Sequence, residues 1–429
     1  MAKSSGSVLD DIINSEFTEM KDLSKEDTSV AHWIDSGNYA LNYVCSKNFS
    51  GAYPAGQITA LVGKSGAGKS MLPAIAAKDP YFDRIIVLDS EGGGTGSSLF
   101  NFVGAPVEKV RYMTVKTLDN YKINKTNGKI EEVSDKEIPA KLSTDTFEYH
   151  MGLNLILKKL LYALEYNHSE EKVLIIIDSL SNIMSVRAMT GTSDMGKANQ
   201  LLNQLFSSLD STLSNTGATL IFAGKVYTDL NNAYNTEGIV KGGEAVMYNP
   251  SLMLNLTVLQ DNPEISDADL KSEKEQRKTG LGNSIKTVRA RVKKSRFGTE
   301  GRNAWVVLDA TYGLTRNSGL FQLLVDFGVC IKNGSRYTIP GVIVDEKGND
   351  VSFYKKDFPE IFSKNEKEYI DKLQVIMDKK EEEIKQSRLN LNINDTDEVE
   401  DDGEEISTSE MLNAMEAEME MKSVKETEE

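Results

Sequence analysis

The sequence predicts an α/β fold built on a mostly parallel sheet flanked by helices, on three observations. Four runs of strand length, "ITALVG" (58–63), "RIIVLDS" (84–90), "KVLIIIDS" (172–179) and "ATLIFAG" (218–224), are apolar almost throughout instead of alternating. Strands of that kind are buried on both faces, as in parallel sheets covered by helices. Stretches of helical period, notably "MGLNLILKKLLYALEY" (151–166) and "KANQLLNQLFSSLDSTLSN" (197–215), separate most of these runs. Finally, the first run breaks into a glycine-rich loop that leads into a helical pattern, the strand–loop–helix order of a phosphate-binding turn.

Taken in order, residues 1–30 are polar and mixed, with one short helix over "VLDDIINSEFTEM" that suits an oligomerisation segment or a cap on its own domain. Residues 31–57 hold an amphipathic helix at 39–45 and a Gly/Pro loop. Past the fourth run, "PSLMLNLTVL" (250–259), "SIKTVRARVKKS" (284–295) and "NAWVVLDA" (303–310) extend the same sheet. The polar stretch 118–147, with "TNGK" as its turn, reads as an inserted hairpin or loop. The core thus spans 31–316, and a small α/β domain with a charged helix at 364–388 occupies 317–388. Residues 389–429 have the composition of a disordered acidic tail.

A chain of 429 residues, 39 % hydrophobic and 7 % aromatic, is a soluble globular protein with one large core plus appendages, or two domains. No apolar run approaches the roughly 18–20 residues of a membrane span, and the N-terminus lacks a signal-peptide apolar region. Two cysteines, Cys45 and Cys330, exclude a disulfide framework and point to a reducing cytoplasm. The net charge of −16 is uneven: residues 391–429 carry fifteen Asp/Glu against two Lys, leaving 47 basic and 50 acidic residues before them. The core is nearly neutral, so whole-chain charge does not exclude nucleic acid as a partner.

Residues 63–70, "GKSGAGKS", match G-x-x-x-x-G-K-[ST] in full. The backbone of Gly63, Lys64, Ser65, Gly66, Ala67 and Gly68 can turn its N–H groups toward phosphate oxygens. Lys69 brings a cation to them and the Ser70 hydroxyl can ligate Mg²⁺. ATP and Mg²⁺ are the expected cofactors. Asp178, ending "VLIIID", is the acid expected to complete the metal site. "VLDSEGGG" offers two carboxylates before flexible backbone; Glu91 is preferred as general base, with Asp89 the fallback.

A glutamate ending the strand after the phosphate-loop strand, with the metal-site acid on a later strand, resembles the RecA-type arrangement. "GKSGAGKS", "VLDSEGG", "VLIIIDSLSNI", "VKGGEAVMY" and "VKKSR" occur in that order, and "SGLFQLLVDFGVCIKNGSRY" resembles the start of the family's C-terminal region. Over about residues 31–340 the chain is similar to RecA-like recombinases, nearest the UvsX type of tailed bacteriophages. The resemblance implies that Lys294 and Arg296 reach the ATP of a neighbouring subunit; a DNA-facing or solvated basic strand is the other reading. It also implies two DNA-binding loops. The first, 186–198, offers Arg187 and Lys197; the second, 226–243, offers Tyr227, Tyr234, Lys241, Gly242 and Gly243.

Two positions depart from the family pattern. Where the family places an amide or imidazole sensing the γ-phosphate, this chain has Lys225, a fixed cation. The aromatic expected on adenine falls at Ser98 or Leu99, with Phe100 the substitute. The acidic tail suits either a tethered competitor for the DNA groove or a solubilising terminus. The resemblance implies a DNA-dependent ATPase that forms a helical filament on single-stranded DNA and exchanges it into duplex during recombination, repair and recombination-dependent replication. Its partners would be single- and double-stranded DNA, its own copies, a recombination mediator and a single-strand-binding protein, with no membrane. The alternatives are a ring-forming DNA helicase, for whose N-terminal domain thirty polar residues leave little room, and a regulatory ATPase.

Overall fold

A computed structural model describes residues 30–92, 96–166, 170–227, 239–240, 243–259 and 285–396. The chain opens with β1 (Trp33–Ile34), α1 (Tyr39–Ser46) and β2 (Tyr53–Pro54), then β3 (Ile58–Gly63), α2 (Met71–Ala76), β4 (Arg84–Asp89), α3 (Ser97–Val103) and β5 (Val110–Thr114). β6 (Tyr121–Asn124), β7 (Ile130–Glu132) and β8 (Phe147–His150) come next. Then follow α4 (Leu153–Tyr166), β9 (Val173–Asp178), α5 (Val186–Met189), α6 (Lys197–Thr216), β10 (Thr219–Tyr227), β11 (Ile239–Val240) and α7 (Gly243–Tyr248). The remainder is β12 (Leu252–Val258), β13 (Ile285–Ser295), β14 (Asn303–Asp309), β15 (Gly313–Leu314), α8 (Leu320–Asp326), β16 (Ile331–Asn333), β17 (Arg336–Thr338), α9 (Phe358–Lys364) and α10 (Glu366–Thr396).

Among the described residues the main sheet runs β15-β14-β13-β12-β3-β10-β9-β4-β5, with β11 added to the end of β10. From β12 to β5 every neighbouring pair is parallel, and β13, β14 and β15 continue antiparallel. The four apolar runs are the central parallel strands, to within three residues at either end. Alternate residues serve opposite faces: Ile58, Ala60 and Val62 join Leu220, Phe222, Val173, Ile175 and Ile177 in one cluster, where Leu157, Leu161, Leu205 and Leu209 from α4 and α6 cover them. The intervening Leu61, Leu174, Ile176 and Ile221 are equally buried on the other face. That two-sided burial is why the runs show no alternation.

Helix α6 puts Leu202, Leu205, Phe206, Leu209 and Leu213 on one stripe, with Phe206 packed on Phe222 at 5.5 Å between ring centroids. The residues between β5 and α4 form a separate three-stranded antiparallel sheet, β7-β6-β8, whose first turn has Gly128 at φ +70. Asn120 anchors it, accepting from the Gly152 N–H at 3.0 Å and donating to Asp135 at 2.8 Å.

Two compact units divide at Gln374/Val375, within α10, so residues 317–374 share a unit with the sheet. Helix α10 itself continues to Thr396, eight residues into the stretch expected to be disordered from 389. The sequence there, "NLNIND", lacks Gly and Pro, the residues that would stop it. The expected N-terminal segment 1–29 and the tail beyond 396 lie outside the described residues. Among those described, no helix is long and apolar enough to cross a membrane, and both cysteines are buried and free.

Gly63 ends β3 where β12 comes closest: a Cβ there would collide with the Leu256 carbonyl oxygen. The first glycine of the loop is therefore a packing glycine. Replacing Gly63 with Ala must push β3 and β12 apart, and a loss of about 1–3 kcal/mol is expected, read as a lower midpoint in urea unfolding.

Candidate active site

The parallel register sets the carboxyl ends of four strands side by side. Gly63 of β3 pairs with Lys225 of β10, and Asp89 of β4 with Asp178 of β9. In an open α/β sheet that edge is where ligands bind. A cavity of about 560 Å³ lies there, within the size range of small-molecule sites.

The loop 64–70 forms its floor. Gly66 and Gly68 take φ +76 and +89, a left-handed backbone that lets successive N–H groups converge. Lys69 is 8 % exposed, and its ammonium donates to the Lys64 carbonyl at 2.7 Å, bracing the loop from within. Burial lowers the Lys69 pKa, while Asp178 and Glu91 oppose that shift. The Ser70 hydroxyl hydrogen-bonds the Asp178 carboxylate, and Asp178 is itself 3 % exposed. These two oxygens suit a Mg²⁺ that brings phosphate and water as its remaining ligands. The glycine cradle, the braced lysine and this oxygen pair together fit a Mg²⁺-bound polyphosphate.

The two carboxylates of 89–91 have different surroundings. Asp89 is fully buried; it accepts from the Glu91 and Gly92 N–H groups at 2.7 and 3.1 Å and from the Tyr112 hydroxyl at 2.6 Å. Its lone pairs shape the turn. Glu91 lines the cavity, and its Oε1 meets the Lys225 ammonium at 2.9 Å, the Asn182 amide at 2.9 Å and the Ser179 hydroxyl at 3.2 Å. The Lys225 hydrogen bond, above all, holds the Glu91 pKa below the usual glutamate value. Lys225 also donates to Asn182 at 2.9 Å, while its backbone N–H donates to the Ser181 hydroxyl at 2.6 Å. "DSLSN" after Asp178 thus supplies three polar groups to this network that the motif reading passed over.

Phe100 on α3 is 1 % exposed and does not line the cavity. The residue of that helix at the cavity wall is Leu99, one position earlier, joined by Met71, Leu308 and Ala310. Successive residues of a helix point about 100° apart, so a one-residue difference changes the face.

Lys294 and Arg296 do not line the cavity. β13 runs antiparallel to β12, so its first residues reach the loop end of the sheet and its last ones the opposite end. Lys286 and Lys294, eight positions apart on this strand, are separated by about 27 Å. Lys294 donates to the Tyr248 carbonyl, and Arg296 to the Asn249 carbonyl at 3.4 Å.

Of the loop residues, Arg187 is exposed on α5, and Lys197 starts α6 with its ammonium 3.7 Å from Glu132. Asp119, just before β6, also holds this loop, accepting from the Val186 N–H at 2.8 Å. Tyr227 ends β10, half exposed, two residues beyond Lys225. Gly243 starts α7. Tyr234, Lys241 and Gly242 lie outside the described residues.

No family model matches the chain. It is 24 % identical over 196 residues to Protein RecA of Desulforapulum autotrophicum, covering 44 % of this chain and 51 % of that one. Protein RecA of Frankia casuarinae is 21 % identical over 206 residues, covering 47 % and 55 %. Protein RecA of Corynebacterium efficiens is 22 % identical over 205 residues, covering 47 % and 49 %. The chain spans about half the length of the curated relatives it matches. Its similarity to RecA proteins is thus distant and partial, and its core is mixed α/β on a large, mostly parallel sheet.

Burial raises the Asp178 pKa, so the sign of its linkage is unfavourable: above its folded-state pKa the ionised carboxylate burdens the fold, and the burden disappears as it protonates on acidification. Asp178→Asn is expected to melt at a higher temperature than the parent at pH 7, and by a margin that shrinks on acidification, as scanning calorimetry across pH checks.

Proposed function

We propose that the chain is an ATP-dependent DNA strand-exchange protein of the RecA-like class, of the UvsX type, acting in recombination, repair and recombination-dependent replication. The observation that carries this reading is the placement of Lys294 about 27 Å along β13 from Lys286 at the phosphate-loop end, with Arg296 just past the strand. Cations so placed cannot serve their own cavity, but in a head-to-tail stack they face the cavity of the next copy. The distant similarity to RecA proteins supports the same class.

On this reading the cavity holds ATP with Mg²⁺, which supplies Lewis-acid charge at the phosphates. The loop N–H groups and Lys69 hold the phosphates; Ser70 and Asp178 hold the metal. Glu91 orients and deprotonates the attacking water, fixed in place by Ser179 and Asn182. Lys225 couples the events: its ammonium rests between Glu91 and Asn182, within the same cavity as the phosphates. When it turns to a phosphate it releases the Glu91 carboxylate, and β10 carries the displacement two residues on to Tyr227 and the second loop. Lys294 and Arg296 of the adjoining copy complete the charge stabilisation, so hydrolysis depends on stacking.

Arg187, Lys197, Tyr227, Tyr234, Lys241 and the glycines at 242–243 meet single-stranded DNA, by phosphate contacts and base stacking. Glu132 competes with DNA phosphate for Lys197. The filament holds one strand extended for pairing with homologous duplex, in the cytoplasm, with a mediator and a single-strand-binding protein as further partners.

Two outcomes are expected. Single-stranded DNA accelerates ATP hydrolysis, and electron microscopy with a non-hydrolysable analogue shows helical filaments; an unchanged rate, or closed hexamers, overturns the proposal. Lys69→Ala and the double variant Lys294→Ala/Arg296→Ala are each reduced by about a thousandfold or more. An equal mixture of the two regains about a quarter of the parent rate, because half the cavities are intact and half of those meet intact cations in random stacking. A mixture as inactive as its components would place both sets of cations at one copy's own site.

A further inference from the structure

We propose that Lys286 is a phosphate-binding residue of its own copy, a third cation directed at the nucleotide from the antiparallel part of the sheet. The proposal rests on the reading of the cavity as an ATP site and adds a group that none of the sequence motifs contains. β13 enters the sheet beside β12 and in the opposite direction, so its second residue arrives at the carboxyl ends of the parallel strands. There Lys286 pairs in register with Leu308 of β14. The two side chains close over two glycines of the loop. Leu308 sits 2.6 Å from where a Gly68 Cβ would lie, and the Lys286 ammonium 3.0 Å from where a Gly66 Cβ would lie. Both residues line the cavity.

The charge balance of the cavity makes this ammonium the available one. Lys69 braces the loop through the Lys64 carbonyl, and Lys225 is paired with Glu91. Asp309, the nearest acid on the adjoining strand, spends one carboxylate oxygen on the Thr311 and Tyr312 N–H groups at 2.6 and 3.3 Å. Lys286 has no ion-pair partner among the described residues. An exposed cation perched over a glycine-rich loop whose successive N–H groups converge suits a polyphosphate, and a lysine suits it as a point charge. Because Lys286 and the loop belong to one copy, this contact forms without stacking, unlike those assigned to Lys294 and Arg296. It therefore contributes to ADP and ATP binding alike.

The experiment is calorimetric titration of the full chain with Mg²⁺–ADP, at protein concentrations too low for assembly, for the parent and for Lys286→Ala, Lys286→Arg and Lys69→Ala. Lys286→Ala is expected to weaken ADP binding about tenfold while its melting temperature stays that of the parent, since the side chain is exposed. Lys286→Arg, which keeps the charge, stays within about threefold. Unchanged affinity in Lys286→Ala alongside a loss in Lys69→Ala overturns the proposal and leaves Lys286 a solvated lysine at a strand end. If Lys69→Ala also binds like the parent, or the parent does not bind ADP, the cavity is not an ATP site and both readings fall.

Discussion

The arrangement depends on the register of the parallel strands β3, β10, β9 and β4. Gly63 stands level with Lys225, and Asp178 with Asp89 two residues short of them, because Leu220 pairs with Ile58, Ile175 with Leu220, and Ile86 with Ile175. Each strand is buried on both faces, so a one-residue slip would exchange every side chain between two packed layers. The core therefore carries the geometric precision of the polar edge. Gly63 transmits it to the loop, since only a residue without a Cβ lets the Leu256 carbonyl approach so closely.

Electrostatics at this edge separates structure from chemistry. Asp89 is fully occupied by backbone N–H groups and a tyrosine hydroxyl, and it sets the turn on which Glu91 is displayed. Asp178 is held in a buried position that disfavours its charge, and Lys69 in one that disfavours its own. Opposite strains placed together suit a ligand that is itself both anionic and metal-bearing. Glu91 is the exception: its charge is favoured, because Lys225 supplies the compensation.

Legibility in the sequence followed chemistry that is local along the chain. The strands were visible because two-sided burial demands unbroken apolar runs, and the loop because its glycines, lysine and serine are contiguous. The acids at strand ends were visible for the same reason. Whether Phe100 substitutes for an aromatic at position 98 or 99 was not, since successive residues of a helix face different ways and Leu99 is the one at the cavity wall. Lys286 was not, because nothing near it marks it; strand pairing over a distance of more than two hundred positions brings it above Gly66. The polar stretch read only as a hairpin or loop supplies two strands of a small sheet, and it meets the 186–198 loop through Asp119 and Glu132. Such a contact leaves no periodic trace in either segment.

The length of β13 has an arithmetic consequence. If the phosphate cradle belongs to one end of that strand and the lent cations to the other, an open row of n copies contains only n − 1 finished catalytic centres. The copy at one terminus keeps a cradle that nobody completes, and the copy at the other offers cations to nobody. Turnover per copy then climbs with row length toward a plateau, the two termini age differently, and loss of nucleotide at the interior weakens exactly one junction at a time. A closed ring of the same chain would have no such idle ends.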